Sequence, residues 1–255
     1  MDRATRMEIA QRVKEFLLRR HPDLMAVWIE GSTAKAEDQE HSDLEMTAVT
    51  RGANDTKAYQ AIWEGIVVEV GVTSAEDAIR DAARVDWAWP MWADSYAGAA
   101  PLYDPEALLP QLARTASNPD PGKIPGAVRH AYISMYEDLC KLRNFAKSGE
   151  DRLFRLMSMG FALYGLARFV ALLNRQHFNG IRNLLTKPRE FALLPPHFWE
   201  DYPRLLAADG TVADLLGAGE RMHDECGHLL QGAGYALPRV ESLEAALEAG
   251  RHGKR

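Results

Sequence analysis

Cysteine is scarce in this chain. Among its 255 residues only Cys140 and Cys226 occur, far apart, so a disulfide scaffold is excluded and a reducing, cytoplasmic setting is the default expectation. An excess of positive charge is also missing. With 30 basic and 36 acidic residues the net charge is −6, which argues against a dedicated duplex-DNA binder and suits a site for a cation better. No nucleic-acid partner is expected. Long apolar runs are absent as well. Residues 1–21 place Met7, Ile9, Ala10, Val13, Phe16 and Leu17 at helical spacing between charges, whereas a signal peptide has an uninterrupted apolar core. The most apolar stretch, Gly160 to Leu173, contains Arg168 and is too short to span a bilayer. It reads as a buried core helix of a soluble protein without a membrane partner.

Several catalytic signatures are missing too. No G-x-G-x-x-G fingerprint follows a strand, and no G-x-S-x-G elbow occurs. Gly160 and Gly165 have P-loop spacing, but Leu166 and Ala167 stand where Lys and Ser/Thr would hold phosphate and metal. His223, Cys226 and His228 suggest zinc. On a helix, however, positions 223 and 228 diverge, so a packed helix is the simpler reading.

What is present is patterned. With 47% hydrophobic and 26% charged residues, the chain has the composition of a globular protein rather than a disordered one. After a first helix, residues 24–30 form a short apolar segment bounded by Pro22 and Gly31, which predicts a buried strand. The polar connection GSTAKAEDQEHS has room for one helical turn. Strands are predicted at 43–50, where Leu44, Met46 and Ala48 alternate with polar residues, and at 66–72. A helix follows from Thr73, with Ser74 as N-cap and acids in its first turn. Trp87, Trp89 and Trp92 read as one packing cluster, with base stacking the alternative.

The segment SNPDPGKIPG at 117–126 is the clearest boundary, because its prolines and glycines continue neither helix nor central strand. Beyond it helices are predicted at 125–148, 151–176, 211–231 and 240–249, with a Pro-rich irregular stretch near 186–203 and a frayed tail GRHGKR. The expected fold class is α+β: a mixed sheet with flanking helices over residues 1–118, then a helical bundle over 119–255.

Three carboxylates stand out. Asp43 and Glu45 are two apart on one strand and share a face. Glu69 lies inside IVVEVGV, where desolvating an unpaired charge would be costly. If the strands are neighbours, the three converge at one edge and repel one another without a cation. Oxygen ligands of this kind suit Mg²⁺. Gly31-Ser32, directly after the first strand, allows close approach of backbone to a phosphate, with the Ser32 hydroxyl as donor. Further on, Glu137, Lys141 and Asn144 recur at i, i+4, i+7. On pattern alone Glu137 and Lys141 are a surface ion pair.

In combination, strand-Gly-Ser, ten residues, Asp-Leu-Glu-Met, then Val-Glu-Val on a later strand resemble the nucleotidyltransferase superfamily that includes DNA polymerase beta. The layout is most similar to the aminoglycoside nucleotidyltransferases of the kanamycin 4'-O type. Carrying that likeness are Gly31-Ser32 with Ser42 to Met46, Val67 to Val70, Trp89-Pro90 through Pro101 to Asp104, and Glu137 to Asn144. The resemblance covers residues 5–150 well. It implies Mg²⁺ ligation by Asp43, Glu45 and Glu69, and nucleotide contacts from Gly31, Ser32 and Lys35. It makes Glu137 the base that deprotonates an antibiotic hydroxyl and Lys141 the group holding the α-phosphate of ATP. It further implies a homodimer with active sites at the subunit interface. Two positions depart from the family: Glu30 replaces an apolar or aromatic residue, and Lys35 replaces arginine, giving a point charge instead of a fork. Glu30 is expected either to help hold a polycationic substrate or to be solvated at the strand end. The alternatives are transfer to another hydroxylated acceptor, or a non-catalytic, antitoxin-like binding module of the same fold.

Overall fold

The computed structural model describes residues 1–52 and 57–235, together with residues 237, 242, 244 and 245. The chain divides into two compact units. The first comprises Met1–Arg84, Trp89–Asp120 and His177–Asn183, the second Val85–Ala88, Pro121–Gln176 and Leu184–Arg255.

The first unit opens with α1 (Arg3–Arg20), whose N-cap Asp2 accepts from the Thr5 amide at 2.8 Å. There follow β1 (Leu24–Ile29), the single turn α2 (Gly31–Ala34), β2 (Leu44–Thr50), β3 (Lys57–Trp63), β4 (Ile66–Ser74) and α3 (Ala75–Ala82). The short turns α4 (Trp89–Trp92) and α5 (Asp94–Ala97), strand β5 (Ala100–Tyr103) and α6 (Leu108–Ser117) complete it. The sheet has the order β3-β4-β2-β1-β5. Only β2 and β4 run parallel, in a register that sets Glu45 opposite Glu69. Ile9, Ala10 and Leu17 of α1 pack with Val27 and Ile29, Leu44 and Met46, and Ile66 to Val72 at alternate positions. Burial of that face is what selects the strand period.

The N-cap expected at Ser74 is present, its hydroxyl accepting from the Asp77 amide at 3.0 Å. The polar connection between β1 and β2 carries its one turn of helix and is tied to α1. Fully buried Arg6 pairs with Asp38 and donates to the Gln39 carbonyl at 2.9 Å. Asp104 accepts from the amides of Leu108 and Leu109 at 2.8 and 2.9 Å, closing the start of α6. Strand β3 is an element the sequence reading did not contain. It is an edge strand joined to β4 by a two-residue turn in which Glu64 and Gly65 have φ of +50° and +85°, the left-handed pair of a type I′ hairpin.

The second unit is helical: α7 (Ile124–Ser148), α8 (Asp151–Gly160), a π-helical segment (Phe161–Leu166), α9 (Ala167–Leu173), α10 (Phe198–Ala207) and α11 (Val212–Gly232). Helix α7 buries Ile124, Ala127, Val128, Ala131, Met135, Leu139 and Leu142, a stripe at helical spacing. It ends at Gly149, with φ of +76°. Helix α11 begins with a capping box between Thr211 and Asp214. The helical run Asp151–Leu173 is 23 residues long and apolar enough to cross a membrane by length and composition, but most of its apolar window is buried inside the protein. It stops three residues short of the expected 176, where Arg175 turns to φ +54°.

The stretch near 186–203 is less irregular than expected, because α10 starts at Phe198 and continues through Pro203. The three tryptophans divide between the two units. Trp87 packs in the second unit against Arg168 and His130. Trp89 is buried in the first and donates to the Ala116 carbonyl at 2.9 Å, and Trp92 meets Tyr96 edge-on. The helix expected at 240–249 falls almost wholly outside the described residues, as does the tail from 250.

Candidate active site

Strand β1 ends at Ile29, and the chain turns at Gly31 with φ of +62°. A Cβ at this position would lie 2.3 Å from Oε2 of Glu45. Glycine is therefore required twice, by the left-handed backbone and by the carboxylate seated against it. The Ser32 hydroxyl makes no hydrogen bond among the described residues. Thr33 ties the turn to β2, its hydroxyl donating to the Asp43 carbonyl at 3.3 Å.

Asp43, just before β2, is exposed, and so are Glu45 and Glu69. Exposure of Glu69 corrects the expectation that it is a desolvated charge. Strand β4 alternates, with Ile66, Val68, Val70 and Val72 on its buried face, so Glu69 points away from the core and accepts from Gln60 Nε2 at 3.3 Å. The three carboxylates share one electrostatic neighbourhood. Although Glu45 is exposed as a residue, its carboxylate lies against the Gly31 turn and is partly desolvated, which raises its pKa; Asp43, Glu30 and Glu69 raise it further, and Lys35 alone opposes them. Among the described residues, no three His, Cys, Asp or Glu side chains stand close enough to hold a metal ion as placed. The donor set itself, carboxylate oxygens with one Asp and two Glu, fits a hard divalent cation such as Mg²⁺.

Glu30 is not solvated at the strand end. Its carboxylate accepts from Trp28 Nε1 at 3.1 Å and from the Thr47 hydroxyl. Desolvation raises its pKa, against the lowering effect of hydrogen bonds from Thr47, Trp28 and Ser95, and Asp94 raises it further. Lys35 is engaged too: its ammonium pairs with Asp94 and donates to the Asn179 carbonyl at 3.0 Å. Asp94 and Thr47 were not singled out in the sequence. Trp28, two residues before Glu30 and so on the same strand face, was a readable signal.

In the second unit, Glu137 and Lys141 lie one turn apart on α7, with Nζ 3.0 Å from Glu137 Oε1 and 3.3 Å from Asp138 Oδ1. Glu137 is 69% exposed along its side chain and Lys141 45%, so both reach solvent. Hydrogen bonds to Glu137 and Asp138 raise the pKa of Lys141.

Residues 106–235, half of the chain, match the KNTase C-terminal domain. The chain belongs to the KNTase family. Like other members of that family it is a nucleotidyltransferase. Two curated relatives carry the name aminoglycoside nucleotidyltransferase (4'). One, from a Bacillus species, is 25% identical over 216 residues, 84% of each chain. The other, from Staphylococcus aureus, is 24% identical over the same share. Among solved structures, a nucleotidyltransferase-like protein from Exiguobacterium sibiricum 255-15 superposes with a TM-score of 0.54 at 14% identity, covering 98% of this chain and 81% of that one. That likeness concerns the fold. The KNTase domain match contains Glu137, Asp138 and Lys141, whereas Gly31, Ser32 and the carboxylates of β2 and β4 precede it.

In this KNTase-family chain the arrangement offers two chemical tools. Unbalanced carboxylates beside a glycine turn suit a cation that carries phosphates. An exposed carboxylate held beside an ammonium suits proton removal next to a developing negative charge.

Proposed function

We propose that the chain transfers AMP from Mg-ATP to an aminoglycoside hydroxyl, the 4'-hydroxyl first, with release of pyrophosphate, and so confers resistance. The observation that carries this reading is the likeness, over 84% of the chain, to two aminoglycoside nucleotidyltransferases (4'); the presence of Asp43, Glu45, Glu69 and Glu137 supports it. Residues 1–118 serve as the nucleotidyltransferase domain and 119–255 as the helical domain, in a cytoplasmic homodimer.

Asp43, Glu45 and Glu69 would hold Mg²⁺. The chemistry such an ion supplies is neutralisation of charge on the phosphoryl oxygens and on departing pyrophosphate. Ser32 and the Gly31 backbone position the phosphates, and Lys35 holds Asp94 in place while adding positive charge nearby. Glu137 accepts the proton of the substrate hydroxyl as that oxygen forms a bond to the α-phosphorus and the bond to pyrophosphate breaks. Lys141 stabilises charge on the phosphoryl group in the transition state. The acidic cluster attracts a polycationic antibiotic.

The test is pyrophosphate release with Mg-ATP, comparing aminoglycosides that bear a 4'-hydroxyl with ones that lack it, followed by mass spectrometry for one added AMP. Release only with the 4'-hydroxyl drugs is expected. Release with both groups would discard the 4' assignment, and silence with all of them would discard the aminoglycoside.

A further inference from the structure

One face of α7 carries Ser134, Asp138 and Lys141 at successive turns. Ser134 and Asp138 line a recess of about 360 Å³ whose other walls are Trp87, Tyr164 and Arg168, all within the second unit. The recess opens to solvent, with the exposed Tyr164 at its wall. Arg168 is its unusual wall. The guanidinium carbon lies 4.2 Å from the Trp87 ring centroid and 4.9 Å from that of Tyr164, so aromatic faces hold the fork in place. Yet Arg168 makes no hydrogen bond and no ion pair among the described residues, and its Nε is buried without a partner. The one carboxylate lining the recess, Asp138, is 3.3 Å from the Lys141 ammonium. Tyr164 belongs to the π-helical segment that leads into α9, an irregularity that recurs at functional sites and re-aims the side chains of its turn.

A positioned guanidinium with unmet donors is a strong electrostatic feature. Desolvation lowers the Arg168 pKa, and it outweighs the opposing effects of Tyr164, Asp86 and Asp138, none of which makes a hydrogen bond or ion pair with it among the described residues. An oxyanion would offset that cost of desolvation, and a guanidinium fork against two aromatic rings has the donor geometry for bidentate contact with phosphate. The Ser134 hydroxyl supplies a neutral donor. A cationic sugar amine would be repelled by Arg168.

We infer that the recess formed by Trp87, Ser134, Tyr164 and Arg168 beside Lys141 is an oxyanion subsite that takes a phosphate group of the nucleotide, or of the pyrophosphate it releases. In assigning the anion to the nucleotide, the inference rests on the role proposed above for Lys141. Arg168 is the anchor of the subsite, and the aromatic pair fixes the plane in which the anion is met.

The test is calorimetric titration of the full-length protein with inorganic pyrophosphate, without ATP or acceptor. Arg168→Gln is expected to weaken binding at least tenfold, since a charge-assisted contact is lost. Arg168→Lys, which keeps the charge but not the fork, should fall between; it carries the test if the glutamine variant does not fold. Pyrophosphate should also change the fluorescence of Trp87, a response absent in Trp87→Phe. Unchanged affinity in both Arg168 variants, or no binding to the wild-type protein, overturns the subsite. Inorganic phosphate bound as tightly as pyrophosphate overturns its assignment to the nucleotide. Arg168-dependent pyrophosphate binding in a protein that modifies no aminoglycoside supports the subsite and removes only the proposed acceptor.

Discussion

Glu45 sits among Asp43, Glu30 and Glu69 with only Lys35 acting against them, and its carboxyl is pushed upward by burial and by those neighbours. Glu137, on the surface of α7, has an ammonium 3.0 Å away. The first region folds with these carboxylates opposed by Lys35 alone, an arrangement that added cation would relieve. In the second, Glu137 shares one ammonium, that of Lys141, with Asp138 within a turn of helix. Ion pairs at that spacing contribute about 0.2–0.5 kcal/mol, too little to make Glu137 important to the fold. Substitutions should therefore act on stability and turnover together in the first region, and on turnover alone at Glu137.

The largest expected effect is in the second region. Glu137→Gln should reduce turnover by roughly 10²–10⁴-fold, the range for loss of a general base, while leaving the Tm unchanged. Pyrophosphate release and a thermal melt, run together, check this. A lower Tm alongside the lost rate would break the contrast, because Glu137 would then be structural. Gly31→Ala should lower the Tm as well as turnover, with a left-handed alanine costing about 1–2 kcal/mol and its Cβ driven into the Glu45 carboxylate. The melt should fall by several degrees, and the response of the Tm to added Mg²⁺ should shrink.

A pH series sharpens the comparison. The Glu30 pKa is raised in the folded protein, so the folded state keeps its proton to higher pH than the unfolded chain does. Stability from this group is fully present below the ordinary carboxylate range and is lost as pH rises through the folded-state value. Glu30→Gln retains an oxygen to accept from Trp28 and Thr47 but cannot ionise. It should melt close to wild type in acid and above it at neutral pH, and a difference that stays constant with pH would remove Glu30 as a store of unbalanced charge. The smallest effect is expected from Ser74→Ala. Loss of the N-cap of α3 should cost about 1 kcal/mol, read as a modest Tm decrease with turnover intact. It calibrates what ordinary local damage to the first unit looks like.

Legibility in the sequence followed the range of the interactions. Strands β1, β2 and β4 were readable because each carries its burial pattern locally, and Ser74 was readable because a cap needs only the next three residues. Strand β3 escaped because Lys57, Gln60 and the exposed Tyr59, Ile62 and Trp63 have neither the alternation nor the continuous apolarity of a covered strand. Helix α10 was hidden by Pro203, which ordinarily ends a helix. Glu69 was found but its surroundings were misjudged: a carboxylate among valines is buried on a two-sided strand and exposed on a one-sided one, and β4 is the second kind. The Glu30 partners Thr47 and Ser95 come from other segments, so only Trp28 could have been inferred. His177–Asn183 joins the first unit through long-range bonds, Phe178 N–H to Pro90 at 2.8 Å and Lys35 to Asn179 at 3.0 Å. No local pattern announces bonds of that reach.

The hairpin turn at Glu64-Gly65 also has a consequence for the order of folding. Strands β3 and β4 are neighbours in sequence, and hairpins of this kind close in about 1–10 μs. Strand β2 pairs with β4 from the other side of β3 in the chain, a nonlocal step slowed by the entropy of closing a longer loop. This locality predicts that Glu69 meets Glu45 as part of a hairpin already formed, with the parallel register set when β4 docks on β2. A chain with a damaged turn would keep α1, β1 and the glycine bend and still present its carboxylates out of step.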